Sequence, residues 1–306
     1  MTDFLRVPDL GEKGLHQVLE LAAAVKQQTA GSRGALAGGK VGLFFEKPST
    51  RTRVSCESAC VDLGAHPVVL RSDEIGLGTR EAVEDVARVL DRYLDALAFR
   101  VFDHRHLETI ADYAEAPVIN LLSDRSHPCQ AVADLQTIAE HHSLDGTVVT
   151  FVGDGNNVAH SLLLAGAMSG MHVRVAGPVG HGPSEAVVEE AGLLAAESGV
   201  SVVVGSDVRE LVEGADVVYT DVWTSMGDED EAEARAELFA SYQVDETLFA
   251  LANDDAVFLH CLPAHRGEEV SAAVLEGDRS VVFDQAENRM HAFKAILLYV
   301  TGWHAA

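Results

Sequence analysis

Lysine is nearly missing from this 306-residue chain: Lys13, Lys26, Lys40, Lys47 and Lys294 are all there is, and every other basic residue is arginine. With 22 basic against 48 acidic residues the formal net charge is −26. Such a chain is repelled by nucleic acid and by anionic membrane surfaces, so neither is expected as a partner. An acidic, lysine-poor surface fits a cytosol of very high salt, where screening removes the self-repulsion; a merely acidic protein is the plainer alternative. Long uncharged apolar runs are also lacking, and no segment has the length a membrane span needs. The first residues carry Asp3 and Arg6 with no apolar core region, so no signal peptide and a cytoplasmic location are expected. The four cysteines (Cys56, Cys60, Cys129, Cys261) show neither CxxC nor zinc spacing, so reduced thiols are expected. Around His141-His142 and His104-x-His106 no acidic or cysteine partner completes a metal set; both read as surface histidines, and no metal is expected. Internal repeats and low-complexity runs are absent.

What is present is apolar and periodic. Hydrophobic residues make up 47% of the chain, enough for large cores, and the length suits two domains. After a helix over 15–28 and a Gly-rich turn, the strand Val41–Phe45 runs into Glu46-Lys47-Pro48-Ser49-Thr50-Arg51-Thr52-Arg53. A helix follows, with Val54, Cys56, Cys60 and Leu63 at roughly helical spacing and Ser49 as a good N-cap. The hydroxyls of Ser49, Thr50 and Thr52 and the guanidinium of Arg51 thus gather at a helix N-terminus, beside free N–H groups and the positive dipole end. That is a phosphate or carboxylate site; an ordinary capped helix with solvated arginines is the bland alternative.

The strand–helix rhythm continues. Residues 68–70 form a strand, 72–80 a mobile loop holding Gly76 and Gly78, and 81–93 a helix with Val83, Val86, Val89 and Leu90 on one face. Strand 96–101 places Arg100 at its end, where a charge needs a partner such as an anionic ligand. Strand 118–122 exits through the loop 123–130, and a helix over 131–142 links two halves. The rhythm restarts with strands at 148–152, 173–176, 202–204, 217–219 and 256–260, helices from 157 and over 185–197, and an acidic helix start at 228–235. Val281-Val282-Phe283 reads as a last strand before the helix 286–300. The expected fold is α/β: two domains, each a parallel sheet flanked by helices, with the C-terminal helix packing back on the first domain. The domains are expected at 1–136 with 286–306, and at 146–285.

Gly153-Asp154-Gly155-Asn156-Asn157 follows a strand and opens a helix, so a dinucleotide cofactor has to be weighed. Val158 stands where the third glycine belongs, and no acidic residue ends the next strand at Ala176-Gly177-Pro178. No cofactor is expected.

Polar chemistry collects at five strand ends: Ser49–Arg53, Arg100, His127–Gln130, 221–226 and His260–Leu262, where open α/β sheets bind ligands. Together Ser49-Thr50-Arg51-Thr52-Arg53, His127-Pro128-Cys129-Gln130, Asp221-Val222-Trp223 with Ser225-Met226-Gly227, and His260-Cys261-Leu262-Pro263-Ala264 resemble the carbamoyltransferase family. The last two motifs are most similar to its ornithine branch. The resemblance implies transfer of a carbamoyl group from carbamoyl phosphate to the side-chain amine of L-ornithine. It implies Ser49, Thr50, Arg51, Thr52 and Arg100 on the phosphate; Thr52, Arg100, His127 and Arg289 around the carbonyl oxygen; and Gln130, with a backbone carbonyl near Cys261-Leu262, on the carbamoyl NH2. Pro128 and Cys129 belong to the same carbamoyl phosphate motif. For ornithine it implies Asn157 at the α-carboxylate, Asp221 at the α-ammonium, Ser225 and Met226 beside them, and Cys261 at the reactive amine. Arg51, Arg100, His127 and Cys261 are the catalytic set so implied. A homotrimer, or a multiple of trimers, follows, with the 72–80 loop reaching a neighbour's site; Gly76 stands where many relatives carry Gln or His. Alternatives at this point are another amine acceptor (putrescine, which lacks an α-carboxylate, or an acylated ornithine), a non-catalytic binding protein, and the weakened dehydrogenase reading.

Overall fold

The computed structural model describes residues 2–29, 31–224 and 232–302. Contacts divide the chain into two compact units: Met1–Ala133 with Glu287–Ala306, and Asp134–Ala286.

In the first unit α1 (Gly11–Lys26) precedes β1 (Lys40–Phe45), α2 (Thr50–Asp62), β2 (His66–Arg71), α3 (Ser72–Ile75), α4 (Val83–Leu90), β3 (Ala96–Arg100), α5 (His104–Tyr113) and β4 (Val118–Leu122). The four strands form one parallel sheet in the order β2-β1-β3-β4. β1 and β4 are buried along almost their whole lengths, as expected of parallel strands covered on both faces. The chain crosses between the units within α6 (Pro128–Ala139) and again within the last helix.

The second unit repeats the plan with β5 (Val148–Val152), α7 (Asn157–Met168), β6 (His172–Ala176), α8 (Glu185–Ser198), β7 (Val202–Gly205), α9 (Val208–Val212), β8 (Val217–Thr220), α10 (Ala232–Phe239), α11 (Glu246–Phe249), β9 (Val257–His260) and α12 (Ala272–Leu275). Its sheet is parallel in the order β7-β6-β5-β8-β9. Each order reverses direction once, between β1 and β3 and between β5 and β8, and a crevice opens at the carboxyl ends of such a pair.

The closing helix α13 (Val282–Val300) returns to the first unit. There Lys294 pairs with Asp62 of α2, Lys26 of α1 donates to Asn288, and Tyr299 lies so close to Gly14 that a Cβ there would meet its hydroxyl at 2.5 Å. The two-domain α/β architecture and the returning helix are as expected.

Several local expectations fail. Val281–Phe283 is no strand: Ser280 makes one isolated bridge to Phe258, and α13 already begins at Val282. Three apolar residues fit either period, and the helix-forming run behind them decides. The 123–130 exit loop ends early, because Pro128 opens α6, a position where its missing N–H costs nothing. In the 72–80 loop, Ser72–Ile75 make a helical turn that ends on Gly76 at φ 62°. Val54 and Val89 face solvent, so the buried faces are Cys56, Ala59 and Cys60 of α2 and Val83, Val86 and Ala87 of α4. His104 is buried rather than on the surface, with its Nδ1 2.7 Å from Ser123 Oγ. The acidic start at 228–235 lies partly outside the described residues.

Candidate functional site

In the first unit the β1–α2 turn is locked from the side. The Glu46 carboxylate accepts the Phe102 N–H at 2.6 Å, and the Glu46 N–H donates to the Arg100 carbonyl, which ties the ends of β1 and β3 together. Ser49 is the N-cap of α2, yet its side chain caps nothing; its hydroxyl donates to Thr52 Oγ1 at 3.1 Å. An eight-residue or longer helix whose first amides lack a side-chain cap presents them, with the dipole's positive end, to whatever anion arrives. Arg53 is taken up by Glu57 at 2.6 Å. Arg51 is exposed and has no partner among the described residues. Thr52 is buried, while Thr50 is open.

Arg100 ends β3 directly beside Phe45 of β1, so it borders the same turn. His127 is buried at the mouth of α6, and its pKa is pushed well below the ordinary imidazole value, first by burial and then by the guanidiniums of Arg289 and Arg100. Both arginines therefore surround it, and it is neutral at neutral pH. Arg289 Nη1 donates to Gln130 Oε1 in a short bond. Cys129 is buried with its thiol on the Asn120 carbonyl and its pKa pushed up to about 12 by burial, so it is an inert structural thiol. The structure thus brings Arg100, His127, Gln130 and Arg289 together, with Ser49–Thr52 on the adjoining strand end.

The second unit builds its counterpart at the ends of β5, β8 and β9. Asp221, nearly buried, follows β8. Its Oδ1 accepts from the Cys261 thiol at 3.0 Å and its Oδ2 from the Asn156 side chain at 3.2 Å. Asn156 also caps α7, its Oδ1 accepting the N–H groups of Val158 and Ala159. Asn156 thus holds Asp221, and Asn157, the residue expected at an α-carboxylate, lies half-buried at the first turn of the same helix. Ser225 and Met226 lie outside the described residues.

Cys261 is half-exposed at the end of β9. Behind it His260 is fully buried: its Nδ1 accepts the Leu262 N–H at 2.9 Å and its Nε2 faces Glu269 Oε1 at 3.1 Å. Leu262 is held at φ 59°, a left-handed backbone that a leucine adopts only under constraint. Trp223, also buried, has an indole Nε1 with no partner among the described residues. Arg235 donates to the Trp223 carbonyl at 2.8 Å and to Asp154 at 2.6 Å, which braces the segment after β8. No spacing rule singles out Asn156, Asp154 or Arg235. The donor atoms of Asp221, His260 and Cys261 also lie within 4.8 Å of one another, but both ring nitrogens of His260 are already engaged, by the Leu262 N–H and by Glu269.

What each half offers is plain chemistry. The first has helix amides, hydroxyls and guanidiniums for a phosphate, and a neutral imidazole between cations for a polarised oxygen. The second has a carboxylate and a thiol for an amine. Two family descriptions match along the chain. Residues 2–140 match the description "aspartate/ornithine carbamoyltransferase, carbamoyl-P binding domain", and residues 145–300 match the "Asp/Orn binding domain". The chain is 52% identical over 298 residues to the ornithine carbamoyltransferase of Acidothermus cellulolyticus, covering 97% of this chain and 96% of that one. It is 48% identical over 303 residues to the Pyrococcus furiosus protein named "ornithine carbamoyltransferase, anabolic", covering 98% and 96%. The solved structure of a Pyrococcus furiosus ornithine carbamoyltransferase superposes with a TM-score of 0.95 over 98% of this chain and 97% of that one.

Proposed function

This chain belongs to the aspartate/ornithine carbamoyltransferase family, and on that premise we propose how its own residues carry the reaction. It transfers the carbamoyl group of carbamoyl phosphate to the side-chain amine of L-ornithine, giving L-citrulline and phosphate.

Residues 1–136 with 286–306 bind carbamoyl phosphate, and 146–285 bind ornithine. The phosphate sits on the uncapped start of α2, held by Ser49, Thr50, Thr52 and Arg51; Arg51's lack of a partner among the described residues supports this role. Arg100 bridges from phosphate to carbonyl. The carbonyl oxygen gains charge as the amine attacks, and Thr52, Arg100 and His127 meet it, with Arg289 as a further cation. His127 serves as a neutral N–H donor, because its burial among guanidiniums excludes the imidazolium. Gln130 Oε1 takes Arg289, which fixes the amide's orientation, and the same side chain is the proposed acceptor for the carbamoyl NH2. The backbone around Cys261-Leu262, held by His260, supplies the second acceptor. Pro128 and Cys129 set the entry of α6. Phosphate is a good leaving group, so positioning and electrostatics carry most of the rate.

On the ornithine side Asp221 pairs with the α-ammonium, Asn157 with Ser225 and Met226 takes the α-carboxylate end, and Cys261 faces the amine that must lose its proton. The observation that carries this reading is the Cys261–Asp221 contact at the ends of two neighbouring strands, which focuses a carboxylate and a thiol on one amine. Synthesis of citrulline is the proposed direction, in line with the name of the Pyrococcus furiosus relative. The active form is a trimer or a multiple of trimers in the cytoplasm, which light scattering on the active enzyme checks. The function is tested by incubating the protein with carbamoyl phosphate and three acceptors. Citrulline from ornithine is expected, with far slower turnover of putrescine and N-acetylornithine; a preference for either of those would overturn the acceptor assignment.

A further inference from the structure

Away from both half-sites, the first unit holds a second concentration of cations. Where α1, residues 31–33, the end of α2 and α13 come together, a cavity of about 480 Å3 is lined by Lys26, Arg33, Lys294, His291 and Asp62. Three permanent cations face one carboxylate here, in a chain whose net charge is −26 and which uses lysine five times in all. Local charge opposite in sign to the whole molecule is what an anion site requires.

The side chains are built in rather than splayed on the surface. Lys294 is 7% exposed and His291 6%. Lys294 is held by Asp62 at 2.5 Å, and Lys26 Nζ is oriented by the fully buried Asn288 at 2.8 Å. Arg33 is exposed at the rim with no partner among the described residues.

The second observation is the imidazole. His291 Nε2 faces Glu287 Oε1 at 3.3 Å, which places the ring proton on Nε2 and leaves Nδ1 as a lone-pair acceptor. That Nδ1 is buried and has no hydrogen-bond partner. A buried acceptor beside three cations calls for a ligand with charged oxygens and one hydroxyl proton to donate. Phosphate at neutral pH carries both; sulfate carries only the oxygens. We propose that this cavity binds a protonated phosphate-class anion, with its charged oxygens on Lys26, Arg33 and Lys294 and its hydroxyl on His291 Nδ1. Neither the phosphate site of α2 nor the ornithine half contributes to it.

Calorimetry isolates the cavity when the full chain carries Arg51→Ala, which disables the α2 site. Inorganic phosphate is expected to bind that protein once per chain at pH 7. Adding Lys26→Gln and Arg33→Gln, at partly and fully exposed positions that leave the fold intact by circular dichroism, should weaken this binding at least tenfold. The same two changes in the otherwise unaltered enzyme should leave kcat for citrulline formation unchanged. Sulfate should bind at least tenfold more weakly than phosphate. Glycerol 3-phosphate binding tighter than phosphate identifies a phosphate monoester as the natural occupant; weaker binding identifies inorganic phosphate. The proposal is overturned if the Arg51→Ala protein binds no phosphate, if the double glutamine change leaves the affinity alone, or if sulfate binds as well as phosphate.

Discussion

At Asp221 two hydrogen bonds converge on one carboxylate, one from the Cys261 thiol and one from Asn156. Asp221→Asn keeps the shape and removes the charge, so KM for ornithine should rise strongly, on the scale of the few kcal/mol of a charged pair in a closed site. Carbamoyl phosphate binding measured alone should barely change, because that ligand belongs to the other unit. Cys261→Ser keeps the size but weakens the soft partner of the amine, so kcat and its pH profile should move along with ornithine affinity. Because the two side chains touch, their effects should not add: the double variant is expected to fall short of the sum of the singles. Loss of carbamoyl phosphate binding in Asp221→Asn, with ornithine affinity intact, would sink the assignment of the halves. In the first unit, Arg51→Ala should lower kcat/KM by at least two orders of magnitude, the scale of about 3 kcal/mol; kinetics near those of the unaltered enzyme in a folded variant would rule the anion site out. Both sets of residues were legible as residue types at strand ends. The contacts among them were not. Asn156 and Asp221 lie 65 positions apart and Asp154 and Arg235 lie 81 apart, and no spacing rule relates them.

The strand-to-helix turn Gly153-Asp154-Gly155 shows the same division at the scale of an element. As a dinucleotide fingerprint it is incomplete, with Val158 in place of the third glycine. In the fold its glycines answer to the backbone: Gly153 takes φ 136°, and a Cβ on Gly155 would lie 2.1 Å from Gly182 and Pro183. Two chain segments pass too close there for any side chain. Gly155→Ala should cost at least about 2 kcal/mol, an overpacking against backbone that no rotamer relieves. Because Asn156 is next in the chain, ornithine KM should rise as well; a thermal melt unchanged from that of the parent protein would refute the close approach. Gly76 obeys the same logic. It ends α3 in the left-handed region, and a Cβ would press on Arg80 at 2.7 Å, which gives a local reason for glycine here. Buried parallel strands were readable because they are nearly unbroken apolar runs. Val281–Phe283 looked the same, yet α13 already begins at Val282, since three residues carry no period.

For the whole molecule, buried histidine and surface acid set opposite conditions for stability. His127, His104 and His291 all have pKa values lowered chiefly by burial. A histidine held neutral in the fold takes up a proton once the chain unfolds. Stability is therefore full above the ordinary imidazole value of about 6.5 and erodes as pH falls below it, so the melting temperature should drop between about pH 6.5 and 5. A melting temperature constant across that window would show that these imidazoles ionise within the fold. The net charge of −26 acts through self-repulsion, so the melting temperature should climb steeply with KCl into the molar range. A flat profile would remove the high-salt reading and leave the activity untouched. The returning helix α13 has one more consequence, in time rather than space. Residues 287–306 complete the unit that residue 1 begins, and they supply it with the buried Ala292, Phe293, Ile296, Leu297 and Val300. A ribosome releases 134–286 before it releases that helix. The half of the molecule made first must therefore wait, with an apolar seam open, until the half made second is already able to fold.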